Sequence, residues 1–95
     1  MTSLNKIINL GYTLTELRYT HAKAKSKPMK GYAVIKDGKE VFTIEPRRNN
    51  AERWLLHSPN GLIYCKDIRR VYWEIVLQTP LEIDFDTVLK SIMNI

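Results

Sequence analysis

A single cysteine, Cys65, excludes an internal disulfide, so packing and hydrogen bonding must hold this chain together. His21 and His57 lie far apart and neither stands in a metal-ligand spacing with Cys65, so no structural metal or other cofactor is expected. The four glycines, Gly11, Gly31, Gly38 and Gly61, are dispersed, which excludes both a P-loop and a dinucleotide-binding fingerprint. No apolar run approaches the roughly 18 residues that span a bilayer. The opening "MTSLNKIINLGY" has no basic leader, long apolar stretch or small-residue cleavage site. These absences predict a cytoplasmic protein without a membrane partner.

What is present suits a globular domain. The 95 residues are 44% hydrophobic and 26% charged, outside the disordered range and enough for one core, so residues 1–95 are expected to form a single domain. The formal net charge is +5 and unevenly placed. Residues 17–53 hold ten basic side chains against four acidic ones, whereas residues 82–95 hold Glu82, Asp84 and Asp86 against Lys90. A positive field confined to one part of the chain favours a polyanionic partner.

Along the chain, Ser3 can cap a short helix with Leu4, Ile7 and Ile8 at helical spacing, and Gly11 suits its exit. "YTLTELRYTH" reads as a strand. The lysine-rich "YTHAKAKSKPMKG" interrupts regular structure, because Pro28 removes a donor and biases Lys27 toward extended geometry. In "GYAVIKDGKEVFTIE" the Asp37-Gly38 pair between apolar runs predicts a two-residue hairpin. Its simple register pairs Ile35 with Glu40 and Ala33 with Phe42, turning Ala33, Ile35, Phe42 and Ile44 to the core. Tyr32, Lys36, Lys39 and Thr43 then point to solvent around Val34 and Val41.

Asn60-Gly61 predicts a second hairpin, with His57 opposite Tyr64 and facing away from Cys65; a helical turn capped by Asn49 or Asn50 can precede it. "DIRRVYWEIVLQ" fits both a helical stripe and strand alternation. Its length, Asp67 at the start and Thr79-Pro80 at the end favour a helix. Asp84 can cap a last helix bearing Phe85, Val88, Leu89, Ile92 and Met93. The fold class is therefore α+β: an antiparallel four- to five-stranded sheet with N-terminal, central and C-terminal helices packed mainly on one face.

No catalytic motif surrounds His21, His57 or Cys65, and a non-enzymatic role is expected. Cys65 reads as a small buried thiol and His57 as a polar sheet residue. A helix followed by three strands, with His21 closing the first strand, resembles the HicA-type toxins over residues 3 to 57; "YTH" stands where that family has Gly-Ser-His. That resemblance implies a small ribonuclease on a double-stranded-RNA-binding-like fold, with His21 as the residue to test.

The basic residues give the leading expectation, a nucleic-acid-binding accessory or regulatory protein, of either DNA or RNA preference. Lys23, Lys25, Lys27 and Lys30 on the loop, Lys36 and Lys39 at the hairpin tip, and Arg47 and Arg48 after it are expected to converge on one surface. Tyr19 and Tyr32 would supply stacking rings. Lysines neutralise phosphate without reading sequence, whereas arginines, including Arg69 and Arg70, suit bidentate contacts. The rival expectation is a protein-binding modulator, or a homodimer, anchored by Tyr64, Tyr72 and Trp73.

Overall fold

The computed structural model describes residues 2–20, 28–80 and 93. Helix α1 (Ser3–Asn9) precedes strands β1 (Thr13–Tyr19), β2 (Met29–Lys36), β3 (Lys39–Pro46), β4 (Trp54–Ser58) and β5 (Gly61–Cys65), and helix α2 (Ile68–Gln78) follows. The strands form one open antiparallel sheet in the order β1-β2-β3-β4-β5, so every connection joins neighbours. The fold is α+β, with five strands among the described residues. The helix expected from Asp84 onward lies outside the described residues, as do Lys23, Lys25, Lys27 and His21.

Helix α1 is capped one residue earlier than expected. Thr2 accepts a hydrogen bond from the Asn5 amide at 3.2 Å, and Gly11, at φ 102°, carries the chain out of the helix. The ambiguous segment is helical: Asp67 caps α2 by accepting from the Arg70 amide at 2.8 Å, and Val71 and Ile75 turn inward. Alternation of Val71, Trp73 and Ile75 loses to the helical stripe because a cap and eleven residues satisfy the backbone locally.

The first hairpin forms at Asp37-Gly38, both with positive φ (53° and 76°), as its turn type requires. Its register differs from the simple one. Ile35 faces Glu40, but Val34 faces Phe42 and Tyr32 faces Ile44, so Val41 is left over as a bulge. That one residue moves Phe42 and Ile44 to the face of Tyr32 and Val34 rather than of Ala33 and Ile35. Burial supplies the reason, because Val34, Phe42 and Ile44 are almost fully enclosed together.

The second hairpin turns at Pro59-Asn60, since Ser58 pairs with Gly61 and His57 with Leu62. Ser-Pro-Asn-Gly places proline and glycine where a type I turn prefers them, and Ser58 Oγ donates to the Gly61 carbonyl at 2.8 Å. The shift is by two positions, so His57 and Cys65 still point to opposite faces. One buried cluster joins Ile7, Tyr12, Val34, Phe42, Ile44, Leu56, Cys65, Val71 and Ile75, linking both helices to four of the strands and their approaches.

Candidate functional site

Antiparallel pairing fixes which ends of the strands meet. Tyr19 pairs with Met29, and Tyr32 with Ile44, so the exits of β1 and β3 and the entrances of β2 and β4 share one end of the sheet. Lys36 and Lys39 face each other at the other end. The two ends of β2 are separated by seven residue steps, about 23 Å of extended chain. The expected convergence is therefore partial: Lys30, Arg47 and Arg48 gather, and Lys36 and Lys39 do not join them. Lys36 instead lies 5.9 Å from the centre of the Tyr12 ring.

The loop between β3 and β4 builds the cationic end. The Arg47 amide donates to the Arg53 carbonyl at 2.7 Å, closing the loop at its base. Asn49 Oδ1 accepts from the amides of Ala51 and Glu52 at 2.9 and 3.2 Å, which makes an Asx turn where the sequence allowed a helical turn. A cleft of about 590 Å³ opens beside this loop. Among the described residues its cations are Lys30, Arg47, Arg48 and Arg53, its rings are Tyr32 and Trp54, and no carboxylate lines it. A smaller cleft of about 420 Å³ shares Arg47 and Arg48 but adds Tyr19 and Glu45.

These cations are not equivalent. Arg47 donates to Glu52 Oε2 at 3.0 Å and lies 4.6 Å from the centre of the Tyr64 ring, so both its charge and its flat face are engaged. Lys30 sits 3.6 Å from Glu16, but both side chains are well exposed and the pair is correspondingly weak. Arg53 is exposed and has no ion pair among the described residues. Arg48 is also exposed.

The aromatic residues separate by face. Tyr32 and Trp54 are half-buried, packed against the core on one face of the sheet. Tyr32 was expected on the solvent side; the Val41 bulge places it with Val34, Phe42 and Ile44 instead. Tyr19 lies on the opposite face, where burial and then the Glu45 and Glu40 carboxylates raise its pKa. Tyr64 is half-exposed under Arg47, also on that opposite face. Tyr72 and Trp73 belong to α2 with ring centres 5.3 Å apart. The three expected interface anchors therefore do not share one patch.

Cys65 is fully buried, and its pKa is pushed up to about 11, first by burial and then by the Glu74 carboxylate. It is a packing residue. His57 lies 3.8 Å from Glu45 on the face away from Cys65, so the two form no nucleophile–base pair. No cluster of metal-binding side chains occurs among the described residues, and no described helix is long and apolar enough to cross a membrane. A helix followed by three strands is present, with β4 and β5 added after them.

Arg53, Trp54, Asn49 and Asn50 were missed as site residues. The available signal was the position of Arg53-Trp54 just before a predicted strand: a closed loop between β3 and β4 must bring that pair back beside Arg47-Arg48. No family model, curated protein or solved structure matches the chain.

Proposed function

We propose that this is a non-enzymatic nucleic-acid-binding accessory protein that uses the cleft between the β3–β4 loop and the start of β2. One observation carries the reading: among the described residues, four cations and two aromatic rings line a single concave surface without a carboxylate. Lys30, Arg47, Arg48 and Arg53 together bring positive charge to a phosphate backbone, with Arg47 also engaging Glu52 and Tyr64. Thr20 and Met29 line the smaller and the larger cleft respectively. In this reading α1 and α2, which share the buried cluster with the sheet, serve as rigid support.

Fluorescence polarisation with a labelled oligonucleotide tests it. Affinity should fall with salt, and replacing Lys30, Arg48 and Arg53 together by alanine should weaken binding at least tenfold. Each lost single-strand phosphate contact should flatten the salt slope by about 0.7. Absence of binding at low salt, or a triple variant that binds as the parent does, removes the proposal.

A second reading, a protein-binding modulator or homodimer, is favoured by α2, where Trp73 is 49% and Leu77 76% exposed at helical spacing. A stoichiometric protein partner recovered after nuclease treatment and lost on Trp73→Ala would support it. Partners lost entirely with nuclease treatment would argue for the first reading.

A further inference from the structure

The cleft has an apolar floor and a cationic rim, and that combination distinguishes between forms of nucleic acid. Pro46 is buried and pairs directly with Trp54, while Tyr32 lies diagonally across the same face and Lys30 one strand position beyond it. The side chains above this floor come from the loop: Arg48, Asn50 and Arg53 are all exposed. A volume of about 590 Å³ falls within the roughly 300–1,000 Å³ of small-ligand sites.

A phosphate backbone alone would need only the rim. The half-buried indole would then serve only packing against the core, and a duplex, whose bases are already stacked on both faces, offers it no free ring. An unpaired base, in contrast, has a free π-face for the ring floor and a phosphate within the same nucleotide for the rim. Asn50 adds a side-chain amide, able to donate and accept at a base edge.

We propose that this cleft takes an unpaired nucleotide, its base laid against the partly exposed Trp54 ring and its phosphate toward Lys30, Arg48 and Arg53. This rests on the nucleic-acid reading above and adds that single-stranded or free nucleotide is the ligand, not duplex.

Trp54 reports on its own site. The chain has two tryptophans, so Trp73→Phe leaves Trp54 as the sole indole. That variant is titrated with a homopolymeric single strand, a duplex of equal length and a mononucleotide, following indole fluorescence and polarisation together. The single strand should quench Trp54 and bind at least tenfold more tightly than the duplex. Quenching by the mononucleotide at similar concentration would support the same site and assign its ligand to free nucleotides; quenching by the strand alone would assign it to strands.

Equal affinity for strand and duplex, or strand binding that leaves Trp54 fluorescence unchanged, overturns this inference while the wider reading stands. Failure of every nucleic acid to bind overturns both. Because the signal comes from the native Trp54, no substitution in the half-buried floor is needed. In a parallel test, Trp54→Phe should retain much of the strand affinity that Trp54→Ala loses, provided both variants keep the parental circular dichroism.

Discussion

At Gly31 a methyl group would meet the Ile44 carbonyl oxygen at 2.5 Å and Pro46 Cδ at 3.0 Å, and would press on the Tyr19 ring. The position needs glycine for space, since backbone on the neighbouring strand cannot yield cheaply. Gly31→Ala should therefore cost about 1–3 kcal/mol, measured by urea denaturation, and disturb the cationic end of the sheet with it. Sequence placed Gly31 only at the exit of a loop; its steric role depends on which strand lies beside it. Cys65 shows the converse, because its burial was anticipated from residue type. With its pKa raised from 9.0 to about 11, the thiol binds its proton more tightly when folded. The stability it contributes is present below about pH 9 and lost as pH rises through about 11. Cys65→Ala should shrink that part of the alkaline decline, read from denaturation midpoints between these limits. In the native protein, thiol reagents should label Cys65 slowly at neutral pH and rapidly once denaturant is added.

Among the elements, α2 rests on a legible cap. Asp67 satisfies the Arg70 amide, so Asp67→Ala should lower stability by about 1 kcal/mol, and Asp67→Asn by much less, in thermal or urea unfolding. The hairpins teach a different lesson. Asp37-Gly38 specified its own turn because two consecutive positive-φ positions suit few residue pairs. Yet the turn did not fix the faces of the strands. A bulge at Val41 is favoured only once Phe42 and Ile44 have the helices and β4 to pack against, and no local preference announces it. At Ser58-Pro59-Asn60-Gly61 two turn signals overlapped, and proline's fixed φ prevailed over the Asn-Gly pair.

For the whole molecule, Tyr12 ties the beginning of the sheet to the end of α2. Thr79 Oγ1 donates its proton to the Ile75 carbonyl at 2.6 Å, so the Tyr12 hydroxyl is the donor in its 2.8 Å bond to Thr79. Tyr12→Phe should cost about 1 kcal/mol while leaving the edge-on packing against Phe42 intact, seen as a lower unfolding midpoint with unchanged circular dichroism. The layout of charge makes a second prediction at this scale. Lys36 and Lys39 lie at the opposite end of β2 and β3 from the cleft, so replacing both by alanine should change oligonucleotide affinity several-fold less than replacing Lys30 and Arg53. Polarisation titrations at one salt concentration compare the two pairs. The amino-acid sequence alone determined the α+β class, helix α1, the turn at Asp37-Gly38 and the excess of positive charge, and favoured a helix at α2 over a strand, since caps, periodicity and turn chemistry act over a few residues. Tertiary structure decided which face each strand buries, which cations share a cleft and that Trp54 lies among them. Those outcomes depend on strand register and on the competition among side chains for one core, and both couple residues that are distant along the chain.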